Sequence, residues 1–364
     1  VRLELERQPP HAGAWHLIAI GKAAGAMAQG AVDVLGARVA GGCIVVPPGH
    51  LPAAFIAESY GLKVWIAAHP VPDEHSLAAG EGVAEYVSAQ PVQAQLLFMI
   101  SGGASSLLEW LKPGVSLAEL QAFNREALAS GLPIGAVNTL RGRFSRLKAG
   151  GLARLAGSRR ARALLVSDVP GDDPRVIGSG LLHAAGTRRM PTRIVASAGL
   201  ACRAAAAAAT EQGLTSHVGR RRYAGDAARL GRRFAGELAR LPAGVVMVRG
   251  GESTVRLPPG PGRGGRNQHL ALAAAIELDR RGPAGACLLA AGTDGIDGDS
   301  PDAGAVVDTG TCLRARDGGF DPRVSLERAD SGSLLEASGD LLHTGATLTN
   351  VGDLVLALNP GAVR

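Results

Sequence analysis

VRGGESTVRLPPGPGRGGRNQHLALAAA, residues 248–275, leaves an apolar strand through Gly250 and Gly251, crosses a Gly/Pro-rich loop and enters an Ala/Leu-rich helix near Asn267. Strand, glycine-rich turn and helix in succession form the building unit of layered α/β proteins. The loop is also suited to anions. Glycines let backbone N–H groups approach a ligand, a helix N-terminus carries roughly half a positive charge, and Arg263 and Arg266 add planar donors that match phosphate or carboxylate. An Arg-rich surface turn has the same composition. What favours the ligand-binding reading is that similar loops recur along the chain.

Working outward, apolar strands are expected at 16–20, 43–46, 62–68, 96–100, 163–166, 194–198, 245–248, 286–291 and 353–358. Helical spacing places helices at 23–35, 76–89, 116–130, 134–147, 200–212, 224–241, 267–281 and 331–338. Ser116 and Glu119 form a capping-box pattern at the start of one of them. The chain is expected to enter regular structure at His16, without a preceding helix. This alternation predicts α/β layers with mainly parallel sheets, and ligands at the carboxyl ends of the strands. At 364 residues two domains are expected, a larger Rossmann-like one over 1–242 and a smaller α/β one over 243–364.

Composition removes several classes. The net charge of +6 is spread over scattered doublets, among them Arg159 and Arg160, Arg188 and Arg189, and Arg280 and Arg281. No aromatic residues interleave with them, so nucleic acid is not an expected partner. Only four of the 38 basic residues are lysines, which points to compositional bias. Cys43, Cys202, Cys287 and Cys312 form no C-x-x-C pair, which predicts reduced thiols in a cytoplasmic protein. There is no apolar run of membrane-spanning length and no hydrophobic signal core, so no membrane partner is expected.

Motifs narrow the chemistry. There is no G-x-x-x-x-G-K-[ST], no G-x-S-x-G and no H-E-x-x-H. A G-x-G-x-x-G occurs at Gly260, Gly262 and Gly265, but in a Pro-rich loop and without the acidic residue about 20 positions on that holds a ribose. His69 and His75 flank a Pro-rich loop and read as structural, because no third ligand accompanies them. What remains suits phosphate and a divalent ion. Gly21 with Lys22, the run Ser101, Gly102, Gly103, Ala104, Ser105, and Gly264, Gly265, Asn267 and Gln268 each place donors at a helix start. Asp168, Asp172 and Asp173 follow one strand, and Asp294, Asp297 and Asp299 another, offering the hard oxygens Mg²⁺ prefers. Asp168, Asp294 and Asp297 are the metal candidates. For any single aspartate, a turn role is the simpler reading.

These residues as a set resemble the glycerate 2-kinases of the MOFRL type, some of which are labelled hydroxypyruvate reductase. The resemblance spans nearly the whole chain. It is carried by Gly21-Lys22-Ala23-Ala24 with Met27, His69-Pro70-Val71-Pro72-Asp73, Ser101-Gly102-Gly103-Ala104-Ser105, Asn138-Thr139, 167–174, Gly250-Gly251-Glu252, 264–268, 291–298 and Thr349-Asn350-Val351. It implies a larger N-terminal and a smaller C-terminal α/β domain with an active site in the cleft between them. The implied reaction is ATP-dependent phosphorylation of D-glycerate at its 2-hydroxyl with Mg²⁺, and a homodimer is compatible with it. Lys22 and Arg266 match the family's catalytic lysine and arginine. The expected roles are charge neutralisation on the transferring phosphoryl group for Lys22, and a fork bridging phosphate and glycerate carboxylate for Arg266. Asn138, Arg141 and Glu252 complete the expected binding set.

The chain departs from the family pattern at His269 (glutamate expected), Gly142 (lysine), Leu181 and Leu182 (Pro-Thr) and Gly352 (asparagine). These departures leave open a divergent member with altered activity. NAD(P)H-dependent hydroxypyruvate reduction and a binding module without catalysis are the alternatives.

Overall fold

The computed structural model describes residues 1–129, 134–183 and 190–361. Arg188, Arg189 and residue 130 at the expected end of the 116–130 helix lie outside the described residues. The chain divides into two compact units, Val1–Ala196 with Leu348–Asn350, and Ser197–Thr347 with Val351–Arg364.

The first unit is built on a six-stranded sheet: β1 (Trp15–Ile20), β2 (Val39–Val46), β3 (Leu62–Ile66), β4 (Gln95–Ile100), β5 (Arg160–Ser167) and β6 (Thr192–Ser197). Their order is β3-β2-β1-β4-β5-β6, and the neighbours from β3 to β5 run parallel. This is the doubly wound arrangement, with its switch point between β1 and β4, where successive strands depart in opposite directions. Ile18, Ile20, Phe98 and Ile100 pack on one face against Ala79, Val83 and Val87 of the Glu74–Ala89 helix. Leu17, Ala19, Leu97 and Met99 are buried on the other face. Burial on both faces explains why these strands read as continuous apolar runs. The expected cap at Ser116 is present. Its N–H donates to Glu119 Oε2 at 2.8 Å and Glu119 N–H donates back to Ser116 Oγ at 3.3 Å.

The second unit holds a seven-stranded sheet: β7 (Thr215–Val218), β8 (Tyr223–Asp226), β9 (Val245–Thr254), β10 (Cys287–Gly292), β11 (Gly304–Asp308), β12 (Leu341–Leu342) and β13 (Asp353–Asn359). The path is β12-β11-β10-β13-β9-β7, with β8 following β7 along the same strand β9. Its pairings from β12 to β9 are antiparallel, which corrects the expectation of mainly parallel sheets. The Arg266–Arg281 helix covers one face and is buried along most of its length. It is joined there by the Ala227–Leu238 helix at a close crossing, where a Cβ on Gly231 would stand 2.2 Å from the carbonyl oxygen of Leu270. The Ala198–Glu211 helix covers the other face through Cys202, against Val246 and Val248.

Residues 197–242 therefore group with the second unit, whereas the sequence reading placed that boundary at 242. The reason is that β7 and β8 pair with β9. Both are short and half exposed, so periodicity did not reveal them. A short helix, Arg2–Arg7, also precedes β1, where none was expected.

Candidate functional site

In the first unit the loops after β1 and β4 are sewn together at the switch point. Gly21 has φ +123°, and a Cβ there would lie 2.3 Å from Ser101 Oγ and 2.6 Å from its carbonyl oxygen, so the two turns meet only because this residue is glycine. Lys22 N–H donates to Gly102 O at 2.9 Å and Ala23 N–H to Ser101 Oγ at 3.0 Å. Ser101 is thus a buried stitch between loops, and its N–H, expected from the sequence to cradle an anion, donates to Ile20 O at 2.9 Å. The N–H groups of Gly102 and Gly103 donate to no described residue. Gly103, at φ +84°, lies against His69 and the stem of Lys22. Lys22 makes no ion pair among the described residues.

Around these N–H groups runs a cleft reaching His69, Ser105, Asn138, Arg141 and Asp168. Ser105 Oγ meets Ser179 Oγ at 2.7 Å, Ser179 donates to Asn138 Oδ1 at 2.9 Å, and Asn138 Nδ2 donates to Val176 O at 3.1 Å. Asn138 and Ser105 are thereby held in fixed rotamers. Arg141 Nε donates to Asn124 Oδ1 at 3.1 Å, and burial lowers its pKa against the opposing pull of Glu109. Asp168 sits directly over Gly102, where a Cβ would come within 2.2 Å of its Oδ2. Burial, then the charges of Lys22 and His50, lower the His69 pKa. In Lys22→Gln the His69 pKa should therefore rise, as read by an NMR titration of its ring protons. An unchanged value would mean that the ammonium does not stand beside this ring.

In the second unit the Arg266–Arg281 helix follows the Gly/Pro-rich loop 257–265, and the anion at its start is a side chain of the protein itself. Asn267 N–H and Nδ2 donate to Asp297 Oδ1 at 3.0 and 3.1 Å, and Gln268 N–H donates to Asp297 Oδ2 at 2.8 Å. Gly265 is required because a Cβ would lie 2.3 Å from the Asp297 carboxyl carbon. Burial pushes the Asp297 carboxyl up to about 6. The expectation that Asn267 and Gln268 hold phosphate does not carry over, since their N–H groups are spent on this cap. Both side chains are fully buried, and Gln268 Nε2 donates to Ser300 Oγ at 2.9 Å. Asp297, expected as a metal ligand, is accounted for by the same cap. Gly264 packs on Gly332 and Gln268. Arg263 pairs with Glu336 at 2.6 Å.

Arg266 remains at the surface of this unit, held by two carboxylates. Its Nε and Nη2 form a bidentate fork with Asp353 at 2.7 and 2.9 Å, and Nη1 reaches Glu252 at 3.1 Å. These bonds, those of Asp353 first, raise its pKa. A guanidinium has five N–H donors, so two are left for a ligand. Asp353 is buried at the start of β13 and was not singled out from the sequence, where one acid ahead of an apolar strand was the only signal. Tyr223 packs beneath Gly251, its hydroxyl buried without a partner among the described residues. Asp294 is tied into its turn by accepting from Ile296 N–H at 3.3 Å. Among the described residues no three His, Cys, Asp or Glu side chains gather as a ligand set. No described helix is long and apolar enough to cross a membrane.

The departures from the family pattern are absorbed locally. His269 is buried with Nδ1 3.2 Å from Ser331 Oγ, Leu181 and Leu182 enter the first unit's core, and the Gly142 carbonyl accepts from Lys112 Nζ at 2.8 Å.

Comparison with known proteins covers both units. Residues 2–211 match a domain of unknown function, DUF4147, and residues 245–353 match the MOFRL family. A D-glycerate 2-kinase of Thermotoga maritima is 34% identical over 94% of this chain and 90% of its own length. A relative from Agrobacterium vitis, provisionally named a hydroxypyruvate reductase, is 38% identical over 93% of this chain and 85% of its own. The crystal structure of a glycerate kinase from Thermotoga maritima superposes with a TM-score of 0.89 at 32% identity, covering 98% of this chain and 95% of that one. Two domain matches in the right order, over a shared fold, make this chain a member of the MOFRL-type glycerate 2-kinase family.

Proposed function

We propose that this chain transfers the γ-phosphoryl group of ATP to the 2-hydroxyl of D-glycerate, with Lys22 and Arg266 as catalytic residues. The observation that carries the reading is the β1/β4 switch point, where two N–H groups stand beside a lysine, all three without a partner among the described residues. That is equipment for an oxyanion at the position where doubly wound sheets bind ligands. Phosphoryl transfer needs positioning and charge neutralisation above all. Lys22 offsets charge on the moving phosphoryl group, Gly102 and Gly103 cradle its oxygens, and the two remaining N–H donors of Arg266 orient a carboxylate or phosphate oxygen. Asn138 and Arg141 line the same cleft as the cradle and orient the bound anion.

Mg²⁺ fits this donor set. Asp168 lies on Gly102, beside the N–H groups that receive phosphate, so two anions would repel there without a cation between them. Asp168 is the residue at this cradle that would hold the ion, which uses few protein ligands and completes its shell with phosphate and water. Bound Mg²⁺ supplies neutralisation of the phosphate oxygens.

A dinucleotide reading has weaker support. Gly262 is filled over by Asp330, and the helix start that would receive a pyrophosphate already holds Asp297. Incubation with ATP, Mg²⁺ and D-glycerate should release ADP and form a product that enolase consumes directly, without a mutase. NADH oxidation by hydroxypyruvate, with no ADP release from glycerate, would sink the proposal.

A further inference from the structure

The second unit contains another basic pocket, at the point where the edge of its sheet is interrupted. β7 pairs with β9 as far as Val248 and β8 resumes at Gly251, so residues 219–222 turn away from the strand between them. The first turn of the Ala198–Glu211 helix lines the same pocket, together with Arg203, Arg220, Arg221 and Arg222. None of these four arginine side chains has a hydrogen bond or ion pair with a described residue. Several arginines elsewhere in this unit are paired, among them Arg249 with Glu237, Arg263 with Glu336, and Arg314 with Asp308 and Asp340.

Two details show that the pocket is shaped around its cations. Arg222 Nη1 is buried with no partner among the described residues, an arrangement that is unfavourable unless an anion arrives to meet it. Gly352 leaves the space its guanidinium needs, since a Cβ at that position would lie 2.8 Å from Arg222 Nη2. The helix start adds donors of its own. Ser197 Oγ caps only Leu200 N–H, leaving the N–H groups of Ala198 and Gly199, which line the same pocket, without a partner among the described residues. Four guanidinium groups and a helix N-terminus greatly exceed what a single carboxylate neutralises. Their charge and planar forks match a chain of phosphoryl groups.

We propose that this pocket binds the phosphate chain of a polyphosphorylated ligand, a nucleoside polyphosphate or an inorganic polyphosphate. Binding here is independent of glycerate, so it can be tested whether or not the kinase reading holds. Calorimetry with tripolyphosphate, ATP and adenosine, without glycerate and in a Lys22→Gln background, removes the first unit's contribution. Arg203, Arg220 and Arg221 are exposed, so converting all three to Gln should leave the fold intact. Tripolyphosphate should bind the parent, more weakly as salt rises, and the triple variant should bind it at least about tenfold less tightly. A parallel loss for ATP, with no adenosine binding, identifies the nucleotide tail as ligand, and a loss confined to tripolyphosphate identifies the inorganic chain. Should the triple variant melt early, Arg203→Gln alone gives the same comparison. The proposal is overturned if the parent does not bind tripolyphosphate, or if the variants bind it as tightly as the parent.

Discussion

Lys22→Ala should lower kcat for glycerate phosphorylation by at least about a hundredfold, the order seen when one preorganised electrostatic stabiliser is removed, and Arg266→Ala should do the same. The two losses have different origins. Lys22 has no carboxylate partner among the described residues, so its charge is available to substrate, and its removal leaves the stitched loops intact because their bonds are made by backbone N–H groups and Ser101. Arg266 is shared with Asp353 and Glu252, so its removal also leaves a buried carboxylate unmatched. Arg266→Ala should therefore lower thermal stability as well as turnover, whereas Lys22→Ala should melt like the parent. A Lys22→Ala protein turning over within a few-fold of the parent would show that the lysine is not the phosphoryl-group partner.

Lys148→Met should destabilise the first unit by about 3–5 kcal/mol, the cost of stranding one member of a buried ion pair. Lys148 and Glu109 are in contact and both side chains are fully buried. Burial lowers the lysine pKa, while the contact with Glu109 pulls it upward. Adding Glu109→Leu to Lys148→Met should restore most of the loss, because well-packed apolar groups replace a buried pair at little net cost. Trp15, Trp65 and Trp110 are the chain's only tryptophans and all belong to the first unit, so denaturant unfolding followed by their fluorescence isolates it. A single-variant loss below about 1 kcal/mol, or a double variant no better than the single, would contradict a buried charged pair.

The parallel sheet was legible in the sequence because strands buried on both faces leave continuous apolar runs, as in β1 and β4. Gly21 and the Ser101–Gly102–Gly103 turn were legible for a similarly local reason: glycine at a strand end marks a place where backbone must come close to something. The edge strands β7 and β8 were not, since short, half-exposed segments carry no periodicity. Nor was the fate of the loop at 260–268. Its sequence suits an anion at the helix start, and Asp297 occupies that place from 30 positions away.

Local composition and backbone restriction alone determined the alternating elements, the capped helix at Ser116, the anion-seeking turns and the family resemblance. Each depends on residues within a few positions of one another. Tertiary structure alone decided the partners: Asp353 for Arg266 across 87 residues, Asp297 for the helix N-terminus, Glu109 for Lys148, and none among the described residues for the arginines at the interrupted sheet edge. A charged side chain's partner is set by which strand ends meet in space, and that depends on strand order, which no local pattern encodes.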